Sequence, residues 1–133
     1  MQMGVDMKNE IVGTWLLEGF LIESPQKGQR NWGTNIHGLL IYSPSGHMSV
    51  SINRDVEKKS DGDGQNYFDS ILFYSGTFDV DGETIKHQVT EASNPTRIGK
   101  EQIRFAKLEN DILTLTSPDE SFGRAILTWR KIA

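Results

Sequence analysis

The chain has 133 residues, of which 36% are hydrophobic and 24% are charged, and both its length and its composition are those of one soluble globular domain. Its formal net charge of −4 argues against nucleic-acid binding, because that function requires a basic face. The chain contains no cysteine, which excludes disulfides, a thiol nucleophile and cysteine-bound metal. This composition fits a reducing compartment, and we expect a cytoplasmic protein.

No segment approaches the ~18 apolar residues that a membrane span requires, so we expect no membrane association. Residues 1–9 are largely polar and lack the apolar centre of a signal peptide. We expect them to form a flexible tail of a single domain that occupies residues 1–133.

Residues 11–22 (IVGTWLLEGFLI) are predicted to form the first strand, because two internal glycines disfavour a helix. In a regular strand, alternate residues share one face, and that face here would contain Trp15, Leu17, Gly19 and Leu21. The polar residues 26–35 that follow are predicted to form a loop.

A hairpin is predicted next. Residues 38–42 (GLLIY) and 47–53 (HMSVSIN) are separated by the turn sequence Ser-Pro-Ser-Gly at 43–46. Met48, Val50 and Ile52 alternate with polar residues, so they are expected to face inward.

The most polar stretch of the chain, residues 54–65, precedes a predicted short helix over residues 66–74. Asn66 is a suitable N-cap, and Tyr67, Phe68, Ile71 and Leu72 have the spacing of one helical face. Because that face needs a surface to bury against, we expect the loop and the helix to form a mobile cover over one end of the fold.

The remaining residues are predicted to form a meander of strands at 75–80, 83–90, 101–108, 112–116 and 122–131. Asp81-Gly82 and Asn110-Asp111 are the turn signals of two hairpins. Eight short antiparallel strands with one short helix after the third are typical of a closed barrel or a sandwich. A closed barrel leaves no strand edge exposed.

The sequence resembles the lipocalin-like domain family of small stand-alone bacterial and fungal barrels. The resemblance extends over residues 11–130 and rests mainly on IVGTW at 11–15, GLLIYSPSGHMSVSINR at 38–54, YSGTFDVDGETIKHQV at 74–89 and QIRFAKLENDILTLTSP at 102–118. It implies an all-β, eight-stranded, lipocalin-like (calycin-type) barrel. It also implies that Trp15 of the Gly-x-Trp motif closes one barrel end, with Arg130 of the last strand packed across its indole. Gln88 stands where the family often has a second histidine.

His87 is the main candidate site residue, because it alternates with Ile85 and Val89 and should therefore face the apolar interior. A buried imidazole needs a partner, and Tyr74 or Arg104, both in segments shared with the family, are the candidates. Three roles remain open for His87: a structural histidine, a ligand contact, or an acid–base catalyst assisted by Tyr74. Leu40, Tyr42, Met48 and Val50 are expected to line the interior and contact the ligand.

The orientation of the strand at 101–108 is ambiguous. Strict alternation puts Ile103 and Phe105 on the apolar face and turns Gln102 and Arg104 outward, yet Gln102 and Arg104 lie in a family segment. Either the interior is partly polar, or Ile103 and Phe105 face the helix or a second subunit, which would make the protein a homodimer.

We therefore expect a barrel that binds a small, largely apolar molecule with a polar or acidic end. One alternative is an isomerase or cyclase that acts on such a molecule, with His87 or Tyr74 as acid or base. A second alternative is a filled barrel with a structural or interaction role. No cofactor is expected, and no metal, because the three histidines form no metal-binding motif.

Overall fold

A computed structural model of the chain describes residues 7–55, 71–119 and 123–133. One short helix and nine strands make up the described fold: α1 (Met7–Ile11), β1 (Gly13–Ser24), β2 (Gly28–Asn31), β3 (His37–Tyr42), β4 (His47–Asn53), β5 (Ile71–Asp81), β6 (Thr84–Ala92), β7 (Glu101–Glu109), β8 (Ile112–Thr116) and β9 (Arg124–Lys131). A single 3-10 turn, Pro95–Arg97, lies between β6 and β7.

All the strands belong to one antiparallel sheet with the order β2-β1-β3-β4-β5-β6-β7-β8-β9. Strand β1 also pairs with β9, and this pairing closes the sheet into a barrel. The first half of β1 pairs with β3 and its second half with β2. Eight strands thus close an antiparallel barrel, as predicted, and β2 is a short addition beside β1.

Strand β2 was not predicted, because residues 28–31 lie in the segment expected to be a loop. The four residues (GQRN) are glycine or polar and all are exposed, so the sequence contains no apolar alternation that would predict a strand. They form a strand because they pair with Leu21–Ser24 of β1, which is a contact between segments and not a property of the residues themselves.

A bulge in β1 changes which residues face inward. The pairing with β9 skips Glu18, since Leu17 lies opposite Trp129 and Gly19 lies opposite Thr128. After the bulge the buried residues are Phe20, Ile22 and Ser24, so the predicted shared face of Trp15, Leu17, Gly19 and Leu21 is wrong beyond Leu17. An extra residue in one strand shifts the alternation by one position.

The predicted hairpins at 43–46, Asp81-Gly82 and Asn110-Asp111 are all present. Gly82 and Asn110 have positive φ angles of 62° and 55°, which these residue types tolerate best in tight turns.

The predicted helix over residues 66–74 is wrong where the structure describes it, because residues 71–74 form the start of β5 and pair with β4. Residues 66–70 lie outside the described residues. The predicted cover at 54–65 also lies outside them, apart from Arg54 and Asp55.

The N-terminal helix α1 begins within the segment predicted to be a tail, and residues 1–6 lie outside the described residues. Ile11 at its end is fully buried. Trp15 is also fully buried, and its Nε1 donates a hydrogen bond to the carbonyl oxygen of Ile11 over 2.9 Å. The end of the helix is therefore bonded to the buried tryptophan near the start of β1.

The basic side chain over Trp15 is Lys131 and not the predicted Arg130. Lys131 lies directly opposite Trp15 in the β1–β9 pairing, and its Nζ is 5.7 Å from the centre of the indole. Arg130 points to the outside of the barrel and pairs with Glu18 over 2.9 Å. The physical reason is strand alternation: Trp129 faces inward, so the next residue faces outward and Lys131 faces inward again.

The interior divides into a filled part and an open part. The buried hydrophobic side chains of the strands that do not line the open part are Trp15, Tyr42, Met48, Phe78, Ile85, Val89, Ala106 and Leu113. Within the described residues, no helix is long and apolar enough to span a membrane.

Candidate ligand cavity

The open part of the barrel is a cavity of about 360 Å³. Most of its wall is apolar and comes from Phe20, Ile22, Trp32, Leu40, Val50, Ile52, Leu72, Leu115, Ala125, Leu127 and Trp129. Its polar lining residues are Arg30, Tyr74, His87, Arg97, Gln102, Arg104 and Ser117. An apolar wall with a few polar groups is the usual composition of a small-molecule site.

Strand β7 brings polar residues into the barrel. Its inward face contains Gln102 and Arg104, followed by the buried Ala106, whereas Phe105 is 50% exposed on the outside. Of the two alternatives left by the sequence, the partly polar interior is therefore correct.

Arg97 and Arg104 share one hydrogen-bond acceptor. Arg97 Nη1 donates to Gln102 Oε1 over 2.9 Å, and Arg104 Nη2 donates to the same oxygen over 3.4 Å. Arg104 Nη1 also donates to the carbonyl oxygen of Ile103 over 2.7 Å. The amide oxygen of Gln102 thus holds two guanidinium groups beside each other on one side of the cavity.

The positive charge of the cavity is not neutralised by the described part of the chain. Arg97 and Arg104 are half-buried and Arg30 is exposed, and none of the three forms an ion pair with a carboxylate of residues 7–55, 71–119 or 123–133. No aspartate or glutamate is among the described lining residues. Guanidinium groups can donate strong, charge-assisted hydrogen bonds to an anionic group.

Trp129 adds a neutral donor. It lines the cavity, is almost completely buried, and its Nε1 has no hydrogen-bond partner among the described residues. Buried indole N–H groups normally find a partner, so the unpaired N–H of Trp129 is an exception among the described buried side chains.

His87 lies between two tyrosines. Its Nε2 is 2.6 Å from the hydroxyl of Tyr42, and its Nδ1 is 2.7 Å from the hydroxyl of Tyr74. The three side chains come from β3, β5 and β6, and all are buried, with His87 only 2% exposed. The predicted contact of His87 with Tyr74 is present, whereas Arg104 forms no hydrogen bond with His87.

Burial controls the protonation of this group. It lowers the pKa of His87 to about 3, with a further lowering by the charge of Arg104. Burial also raises the pKa of Tyr42 and of Tyr74, and the charge of Arg104 opposes this effect at both residues. At neutral pH, His87 and both tyrosines are therefore uncharged.

Two stacked aromatic rings, with an arginine against one of them, form another part of the wall. The rings of Phe20 and Trp32 are parallel within 9°, with centres 4.8 Å apart. The guanidinium of Arg54 lies 4.3 Å from the centre of the Trp32 ring and donates to its carbonyl oxygen over 2.7 Å. Cation–π contact and hydrogen bond together fix Trp32 in place.

The described residues contain no cluster of three or more histidine, aspartate or glutamate side chains that could hold a metal ion. His47 is exposed, and its Nδ1 contacts the hydroxyl of Ser45 over 2.8 Å.

The model of the lipocalin-like domain family matches residues 12–132, which is nearly the whole chain. The chain belongs to the lipocalin-like domain family. No curated protein sequence matches this lipocalin-like domain.

Two solved barrels are similar to it. Fatty-acid-binding protein 1 of Echinococcus granulosus is 12% identical, with 94% of this chain and 99% of that chain covered and a TM-score of 0.47. A single-site mutant of the fluorescent protein UnaG is 13% identical, with 94% and 98% covered and the same TM-score of 0.47.

Not all of the predicted ligand-contacting residues line the cavity of this lipocalin-like domain. Leu40, Val50, Tyr74, His87 and Arg104 do so. Tyr42 and Met48 do not, because their side chains lie in the filled part of the interior.

Among the polar lining residues, the sequence analysis did not identify Arg30, Arg97 or Ser117, and it left the inward orientation of Gln102 open. It also gave no role to Trp129, which lines the cavity. Arg30 and Arg97 lie in segments that were predicted to be loops, where an arginine indicates only a solvated surface. The family segment at 102–118 was the one signal that favoured Gln102 and Arg104.

Proposed function

We propose that this protein binds a small, largely apolar molecule with an acidic end inside its barrel. The observation that carries this proposal is the set of three arginines, Arg30, Arg97 and Arg104, on a cavity that is otherwise mainly apolar. The proposal assigns ligand contact to Tyr74, Arg104, Leu40 and Val50, and gives His87 a supporting role.

The two parts of the cavity suit the two parts of such a ligand. Burial of its apolar body against the aliphatic and aromatic wall would contribute roughly 25 cal/mol per Å² of apolar surface. Its acidic group would accept hydrogen bonds from the guanidinium groups of Arg97 and Arg104.

The isomerase or cyclase hypothesis gains less support. An acid–base catalyst works best when its pKa lies near the operating pH, and His87 has a pKa of about 3. Both ring nitrogens of His87 are also occupied by tyrosine hydroxyls. The filled-barrel hypothesis is disfavoured by the cavity of about 360 Å³.

Two further expectations stay predictions. The cysteine-free composition supports a cytoplasmic location. The homodimer also stays a prediction, in which the second subunit would cover the outward, half-exposed Phe105.

The proposal is tested with two probes that share one apolar body, 2-naphthoate and 2-methylnaphthalene, titrated by calorimetry. We expect 2-naphthoate to bind more tightly than 2-methylnaphthalene. Arg104→Gln should weaken 2-naphthoate binding about tenfold or more, since hydrogen bonds to a charged group contribute about 1.5–3 kcal/mol. It should leave 2-methylnaphthalene binding nearly unchanged.

Arg130→Gln is the matched control, because it removes the same charge from a strand residue on the outside of the barrel. It should change neither affinity. Equal affinities of the wild type for the two probes, or equal effects of the two substitutions, would contradict the proposal.

A further inference from the structure

The contacts of His87 restrict where its proton lies. Tyrosine hydroxyls contact both ring nitrogens, over 2.6 Å and 2.7 Å. A neutral imidazole has one N–H donor and one acceptor nitrogen. One tyrosine must therefore donate to His87, and the other must accept from it and keep its own O–H proton for another partner.

The surroundings of the two tyrosines decide which one donates. Tyr42 is 1% exposed, does not line the cavity, and contacts no polar group other than His87 among the described residues. Its other ring neighbour is Phe78, with the ring centres 4.7 Å apart. If His87 donated to Tyr42, the O–H of Tyr42 would be buried without an acceptor, which is unfavourable. Tyr74 has no such difficulty, because it lines the cavity.

The favourable arrangement therefore has one direction. Tyr42 O–H donates to Nε2 of His87, and Nδ1–H of His87 donates to the oxygen of Tyr74. The proton of Tyr74 is then left for an acceptor in the cavity.

We propose that Tyr42 and His87 together fix Tyr74 as a hydrogen-bond donor to the ligand, so that the cavity selects molecules with an acceptor oxygen, including a neutral carbonyl oxygen. This inference rests on the proposed function and adds a second element of specificity to it. The arginines select negative charge, whereas an O–H donor selects an acceptor whether or not it is charged. Tyr42 is a positioning residue in this arrangement, since it acts on the ligand only through His87 and Tyr74.

The first test is the tautomer of His87 in the ligand-free protein, measured at neutral pH by long-range proton–nitrogen NMR of the imidazole. The wild type should show the Nδ1–H tautomer. The Nε2–H tautomer would overturn the inference, because Tyr74 would then donate to His87 and not to the cavity.

Two conservative variants show whether Tyr42 sets this tautomer. Tyr42→Phe removes the donor to Nε2, so the Nε2–H tautomer should become populated. Tyr74→Phe should retain the Nδ1–H tautomer, because Tyr42 still donates to Nε2. An unchanged tautomer in Tyr42→Phe would show that Tyr42 does not position the group. The backbone amide spectrum of each variant shows whether it is folded, and the wild-type tautomer decides the inference by itself if a variant is not.

The second test compares two neutral probes, 2-acetylnaphthalene and 2-methylnaphthalene. The wild type should bind the ketone roughly threefold to tenfold more tightly than an equally folded Tyr74→Phe variant, as expected for one neutral hydrogen bond. The affinity for 2-methylnaphthalene should be the same in both proteins. An equal ketone affinity in wild type and Tyr74→Phe would overturn the inference.

The two proposals fail in different ways. One outcome is that the wild type binds 2-naphthoate no more tightly than 2-methylnaphthalene and still binds the ketone more tightly than Tyr74→Phe does. That result would contradict only the proposed acidic ligand. If no naphthalene binds, the proposed function fails, and the tautomer of the ligand-free protein still decides the inference about Tyr74.

Discussion

The indole nitrogen of Trp15 donates to the carbonyl oxygen of Ile11 over 2.9 Å and so ties helix α1 to the first strand of the barrel. Both residues are fully buried. Lys131 covers the same indole and donates to the carbonyl oxygen of Glu10 over 3.3 Å. The helix, the first strand and the last strand therefore meet at one aromatic ring.

Substitution of this ring should be costly. Trp15→Ala should lower the free energy of unfolding by about 3–5 kcal/mol, because it removes a fully buried aromatic side chain. Trp15→Phe should lower it by less, since it retains much of the buried volume and mainly leaves the Ile11 carbonyl without its donor. Urea denaturation of the three proteins measures both effects. A loss below about 1 kcal/mol for Trp15→Ala would contradict the assigned role.

The buried His87 should make stability fall in mild acid. Its folded-state pKa of about 3 lies below the usual 6.5. The unfolded chain therefore takes up a proton below about pH 6.5 that the folded protein takes up only near pH 3. The contribution of His87 to stability is therefore fully present above about pH 6.5, and its loss should reduce the free energy of unfolding by about 2 kcal/mol between pH 7 and pH 5, given a slope of about 1.4 kcal/mol per pH unit for one proton.

His87→Gln is the comparison for this prediction, because glutamine keeps a donor and an acceptor but does not titrate. Its unfolding free energy should change much less between pH 7 and pH 5. The exposed carboxylates Glu23 and Asp79, whose pKa values are lowered by their hydrogen bonds, lose their contribution to stability mainly below this window. Parallel slopes for the wild type and His87→Gln would refute the assignment.

Two glycines should respond very differently to alanine. At Gly76, where the β5–β6 pairing shifts register, an added Cβ would lie 1.8 Å from the carbonyl oxygen of Gln88. Gly76→Ala should therefore cost more than about 3 kcal/mol, since backbone must move. At Gly19 the nearest atom would be 3.9 Å away, and Gly19→Ala should be neutral or stabilise by about 0.4–1 kcal/mol.

Thermal unfolding of both glycine variants measures this difference. A similar melting temperature for Gly76→Ala and the wild type would show that the close approach of β5 and β6 is wrong.

The fold was largely predictable from the sequence because its hairpins carry local signals. Asp81-Gly82, Asn110-Asp111 and the turn at 43–46 each lie between strand-length segments that contain regularly spaced apolar residues, and a turn depends on a few neighbouring residues. The helix predicted over 66–74 failed in residues 71–74 because a short apolar run fits both periods. There, pairing with β4 determines the strand.

The candidate site was less predictable, because it depends on contacts between distant segments. Nothing local shows that Arg30, beside β1, and Arg97, after β6, line the same cavity. The inward position of His87 followed from alternation within one strand, and the contact with Tyr74 was among the predicted ones. If Trp129 faces inward, alternation along β9 places Lys131, and not Arg130, on the inward side with Trp15. The resemblance to the family favoured Arg130 instead.

The measurement that tests the central claim most directly is a titration of 15N-labelled protein with 2-naphthoate, followed at the tryptophan indole N–H signals. The indole of Trp129 lines the cavity without a partner, whereas that of Trp15 is buried outside the cavity and bonded to Ile11. We predict that the Trp129 indole signal shifts with saturation while the Trp15 indole signal stays in place. An unmoved Trp129 signal, or shifts confined to residues on the outside of the barrel, would contradict binding of an acidic apolar molecule in this cavity.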